Sequence, residues 1–259
     1  METGEREYTD DFVAVLEALW GEGFLSPGGA AEVARLLEGL DIAGREVLDI
    51  GCGLGGVDLV LVRAHGARRV IGIDVEAPLI ARARARAEAA GLAERLDYRL
   101  VTPGPLPFAE GAFDVVFSKD AMVHIADKPA LFAEAIRVLR PGGLFVASDW
   151  LRADKPFSPA FEEWLRVTEL KFSMATLAET GRALADAGFE VVALSDRHDW
   201  YRAEAQEEAE RIAGPLRPRL VALVGEAGAD HWVARSRLKV AAMAEGDLRP
   251  AHLIARKPG

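Results

Sequence analysis

The stretch VLDIGCGLGG, Val47 to Gly56, limits the fold more tightly than any other part of the chain. An apolar run carrying one aspartate breaks into four glycines within six residues. A strand ends this way where the backbone must turn sharply, present its N–H groups and enter a helix. Gly51, Gly53 and Gly56 fit G-x-G-x-x-G, and Asp74 ends the next apolar run.

The remaining pattern agrees. EVLDI, RVIGID, LDYRLV, FDVVFS and LFVASDW read as strands. Helices fall between them: VDLVLVRAHG, APLIARARARAEAAG stopped by Gly91, and KPALFAEAIRVLRPGG. MATLAETGRALADAG and FEVVALS add one more pair, and HLIARK reads as a final edge strand. Such alternation predicts an α/β, Rossmann-like domain: a mostly parallel seven-stranded sheet with helices on both faces. Residues 12–20 and 28–40 read as helices joined by the hinge GEGFLSPGG. Residues 150–172 and 199–247 break the alternation at carboxyl ends of strands, where open α/β sheets bind ligands. The expected organisation is an N-terminal helical lid (1–40), a core (41–198) with a cover insertion at about 150–172, a helical cover (199–250) and the edge strand (251–259).

Composition removes several classes of function. A net charge of −10 argues against nucleic acid or an anionic membrane surface as main partner. No apolar run approaches a membrane span. The N-terminal METGEREYTDDF is charged, and the one cysteine, Cys52, forms no internal disulfide, so a reducing cytoplasm is the expected setting. Cys52 has no histidine beside it in sequence and reads as a small loop residue.

The glycine motif alone serves dinucleotide dehydrogenases and S-adenosylmethionine (SAM) enzymes alike, and a turn without ligand is the plainest alternative. Asp49 favours SAM, since a carboxylate two residues before Gly51 can face the ammonium end of that cofactor. Asp74 is placed for the ribose hydroxyls. FDVVFSKDAMVH and VLRPGGLFVASD follow in order, and over residues 30–195 the chain resembles class I SAM-dependent methyltransferases. That family often has an acidic residue after the third strand; the place here is near Thr102, so adenine contacts there are expected from backbone.

YTDDFVAVLEALWGEGFLSPGG, DIGCGLGG, FSKDAMVHI and DHWVARSR are similar to segments of phosphoethanolamine N-methyltransferases. The resemblance implies Tyr8 and His124 as a latch over the site and Asp120 facing the amine. It also implies cofactor contacts at Ser26, Gly51, Gly53, Val75 and Lys119 and substrate contacts at Trp20, Trp150, Trp164 and Arg235. No metal is implied. Methyl transfer to nitrogen needs a free lone pair, so a carboxylate to hold an ammonium and an imidazole or phenol to take its proton make chemical sense. Asp120 and His124 share a face if their segment is helical. The family's phosphate donors are thinned out: Trp150, Trp164, Thr168 and Leu170 stand at tyrosine and arginine positions, and Arg235 at the lysine position. Arg166, Lys171, Arg197 and Arg237 are unplaced substitutes. The two tryptophans read either as a face for a methylated cation or as packing of the cover. The expectation is a small-amine N-methyltransferase. An O- or natural-product methyltransferase, a nicotinamide dinucleotide oxidoreductase and a non-catalytic SAM-binding module stay open.

Overall fold

A computed structural model describes residues 8–168 and 170–259. The sheet comprises β1 Glu46–Ile50, β2 Arg69–Asp74, β3 Leu96–Leu100, β4 Phe113–Lys119, β5 Leu139–Asp149, β6 Glu190–Asp196 and β7 Ala251–Arg256. Their order is β3-β2-β1-β4-β5-β7-β6, with β7 antiparallel to both neighbours and the pairs from β3 to β5 parallel. Helices α1 Asp10–Trp20 and α2 Gly29–Leu36 precede the sheet. α3 Gly56–Arg63, α4 Ala77–Ala89, α5 Lys128–Val138 and α7 Leu177–Asp186 connect its strands. α6 Pro159–Thr168 follows β5, and α8 His198–Ala213 and α9 Arg217–Ala244 follow β6.

One face of the sheet packs Val33, Leu36, Leu61, Ile80 and Ala83 from α2, α3 and α4. The other packs Phe132, Ala135, Val138 and Leu184 from α5 and α7. Above the carboxyl ends, α6, α8 and α9 form a separate apolar cluster around Trp150, Phe161, Trp164 and Tyr201. Val15, Leu16 and Leu19 of α1 pack on Ile212, Leu220 and Trp232 of α8 and α9, tying the N-terminal helix to the cover. α9 is broken at Gly225, whose φ of 73° leaves the helical region.

Three expectations change. β7 is not an edge strand: it lies between β5 and β6, and Ala251, Leu253 and Ala255 are buried. Its near-continuous apolar run is the mark of a strand covered on both faces. The predicted helix over 28–40 is the shorter Gly29–Leu36, followed by a turn. Arg140–Gly143, expected as a stop before β5, lies inside it: the ladder with β4 jumps from Phe113↔Leu139 to Val115↔Leu144. Gly142, at φ 74°, and Gly143 pair there with Lys257.

Candidate active site

The glycine turn joins β1 to α3 beside the end of β2. Gly51 and Gly53 have positive φ, and the space a Cβ would fill is taken by protein: Ala121 Cβ at 2.2 Å for Gly51 and Leu25 Cδ1 at 2.9 Å for Gly53. Close approach of neighbouring segments therefore demands glycine here, whatever a ligand adds. Asp74 accepts from the N–H of Gly53 (2.9 Å) and of Glu76 (3.0 Å), leaving lone pairs on both oxygens. Burial pushes its carboxyl up, and those amides draw it partly back. Val75 and Leu100, 54% and 52% exposed, follow and end the adjacent strands β2 and β3 as a bare apolar shelf. Thr102 is exposed on the loop after β3.

Behind the turn lies a group that sequence reasoning missed. Asp49 and Asp58, the latter in the first turn of α3, are both fully buried. Asp49 Oδ1 and both Asp58 oxygens lack an ordinary donor, and the two carboxyls face each other. Burial and mutual repulsion raise Asp49 well above the carboxylate range; burial raises Asp58 to about 6. One proton is thus held between them. A carboxylate at i+9 from another gives no local pattern, so only the turn's geometry reveals the pair.

At the end of β4, Asp120 adopts φ 55°. The segment is not α-helical: a single 3-10 turn, Met122–His124, follows a strained corner at Asp120, so the shared helix face expected for Asp120 and His124 does not form. Asp120 accepts from Ser148 Oγ (2.8 Å) and Lys119 Nζ (2.7 Å). Lys119 also donates to Ser26 Oγ (2.6 Å) and Pro27 O (2.8 Å), which occupies all three of its donors. In this arrangement Lys119 and Ser26 clamp the lid to Asp120.

Tyr8 Oη lies 3.3 Å from His124 Nε2, 116 residues away in sequence. His124 Nδ1 is 3.1 Å from the Lys171 carbonyl, which can only accept. Nδ1 therefore carries the proton and Nε2 accepts from the phenol. Trp20 Nε1 donates to Glu208 Oε2 (2.9 Å), and Lys239 donates to Glu208 Oε1 (2.5 Å). Trp20 thus joins α1 to α8. Arg235 stacks on Trp232 (4.5 Å) and Phe12 (5.4 Å). Trp164 is 1% exposed, its ring stacked by Phe161, Phe172 and Trp150 at 5.7 Å each. Trp164 thus packs the cover in this structure. Trp150 lines a small cavity with Asp120, Ser148, Arg197 and Tyr201. Of the other cations, Arg166 pairs with exposed Glu163, and Lys171 and Arg237 point outward.

A family described as "Methyltransferase domain" matches residues 48–147. Phosphoethanolamine N-methyltransferase 1 of Arabidopsis thaliana is 31% identical over 207 residues, 80% of this chain and 41% of the relative. The chain thus spans about two fifths of the length of that relative. 27-O-demethylrifamycin SV methyltransferase of Amycolatopsis mediterranei (strain S699) is 29% identical over 263 residues, 96% of this chain and 95% of the relative. Among solved structures, Haemonchus contortus phosphoethanolamine N-methyltransferase 2, in complex with phosphomonomethylethanolamine and S-adenosylhomocysteine, superposes with a TM-score of 0.90 at 26% identity. It covers 98% of this chain and 59% of that one.

Proposed function

We propose that this chain, which a methyltransferase-domain family matches over residues 48–147, transfers the methyl group of SAM to the nitrogen of a small amine. The residues fit this cofactor on three observations. Asp74 retains lone pairs for a ribose diol, Val75 and Leu100 offer an apolar shelf for a base, and Asp49 is a buried carboxyl with no salt-bridge partner among the described residues. Bound there, SAM would supply an electrophilic methyl to the amine lone pair, the C–S bonding electrons staying on sulfur.

The chain's own residues prepare the nucleophile. Asp120 orients the ammonium, and its charge is moderated by Lys119. Tyr8 takes the proton that must leave as it hands its own to His124 Nε2, and the Lys171 carbonyl supports the resulting imidazolium. Lid and cover exclude water, which strengthens every charge interaction inside. The observation that carries this reading is the Tyr8–His124 contact, because it joins the N-terminal segment to a group able to take a proton.

Transfer of labelled methyl from SAM to a panel of amines, with S-adenosylhomocysteine counted as product, tests it. Labelling of alcohols or phenols but of no amine would favour the second reading, O-methylation of a larger natural product. That reading has one observation behind it: the relative of matching length is named as a rifamycin methyltransferase.

A further inference from the structure

The cavity beside Asp120 contains donors with nothing to donate to. Trp150 Nε1 and Tyr201 Oη are buried without a partner, and both residues line it. A buried polar hydrogen left unpaired is costly, so these two groups await an acceptor. Burial holds the Tyr201 phenol well above its ordinary range, which keeps it a donor. Arg197 lines the same cavity. Its guanidinium leans on Glu32 at 3.3 and 3.4 Å, but Glu32 already accepts from Arg35 at 2.7 Å and pairs with His252 at 2.6 Å. Glu32 lines the cavity as well, and because it is shared with Arg35 and His252 it engages Arg197 only at the longer distances. At the other end Asp120, which accepts from Lys119 and Ser148, is the anion. Lys239, the buried cation nearby, is neutralised by Glu208.

One loosely held guanidinium and two neutral donors suit a planar monoanion better than a tetrahedral dianion, which needs more cationic donors. We infer that the acceptor is an amino-acid-like zwitterion, its amine on Asp120 and its carboxylate received by Trp150 Nε1, the Tyr201 hydroxyl and Arg197. This rests on the N-methyltransferase reading of the same site and names its substrate class.

The test is calorimetric titration of glycine, β-alanine, ethanolamine and phosphoethanolamine into the protein, with and without S-adenosylhomocysteine. One of the two amino acids should bind at least about tenfold more tightly than ethanolamine and phosphoethanolamine. Tyr201→Phe, which removes a hydroxyl that holds nothing in the fold, should weaken that amino acid about tenfold and leave S-adenosylhomocysteine unchanged. Arg197→Gln should do the same, with partial recovery in Arg197→Lys. Tighter binding of phosphoethanolamine, or amino-acid affinity indifferent to both variants, overturns the inference. Failure to bind S-adenosylhomocysteine strikes at the methyltransferase reading instead, and the titrations without it still decide the carboxylate site.

Discussion

At the residue scale, Tyr8 and His124 supply the sharpest expectation. Tyr8→Phe and His124→Ala should each lower kcat by roughly 10²-fold or more, the usual worth of a proton-transfer group, with little change in S-adenosylhomocysteine affinity. The double variant should fall well short of the product of the two losses, since either change alone breaks the contact. Single-turnover rates for the three variants check this; multiplicative losses would mean two independent roles. Asp58 carries a second expectation. Its folded carboxyl titrates near 6, against about 4 unfolded, so the native state binds the proton more tightly. Stability is therefore present at low pH and lost as pH rises from about 4 through 6. Burial raises Asp49 and Asp74 in the same direction, while Lys119 beside Asp49, a hydrogen bond from Tyr98 to Asp58 and the amides around Asp74 oppose it in part. Asp58→Asn mimics the protonated pair and should flatten that decline, a difference on the order of 2–3 kcal/mol between pH 4 and 8. Denaturant melts across this range decide it; parallel curves would remove Asp58 from the proton pair. The residue identities at the glycine turn, Asp74, Asp120 and His124 were legible because each stands in a local motif. Asp58 and Tyr201 were not, and Arg197 could be named as a spare cation but not placed, because what makes them notable is an absent or shared partner, and partners come from distant segments.

At the scale of elements, all seven strands were readable in type from alternation and glycine stops. The last was misread in place. HLIARK sits last in sequence, and nothing local tells a final strand whether it joins the rim or slips between two others; its apolar Leu253–Ala255 stretch was the clue. Leu253→Asp should accordingly prevent folding, since a charge there meets buried surface on both sides, and a soluble, cooperatively melting variant would contradict the interior position. The turn before α3 yields a subtler test. A Cβ on Gly56 would come within 2.4 Å of the Gly23 carbonyl, which also accepts the Gly56 N–H at 3.2 Å. Gly56 lies in α3, a conformation alanine favours, so Gly56→Ala should leave the melting temperature within a few degrees while pushing the hinge off the turn. Faster proteolysis near residues 21–28, together with reduced kcat, is the expected pair of outcomes. Proteolysis unchanged from wild type would mean that the hinge accommodates the methyl.

At the scale of the whole molecule, the N-terminal segment is fastened to every other part of the site. Glu17 receives Arg82 and Arg86 of α4 at 2.5 and 2.8 Å. Ser26 and Pro27 receive Lys119 from the end of β4, and Trp20 and the Leu19 carbonyl engage Glu208 and Arg211 of α8. The segment covers both the place proposed for the cofactor and the place proposed for the acceptor. Neither can be exchanged without undoing fastenings on three sides. Exit, and not bond making, then sets the tempo of turnover. The first cycle should appear as a rapid burst of methylated product, about one per enzyme, before a slower steady rate. Glu17→Gln, which loosens α4 from the segment, should raise that steady rate and shrink the burst, so that the enzyme gains throughput by losing its grip.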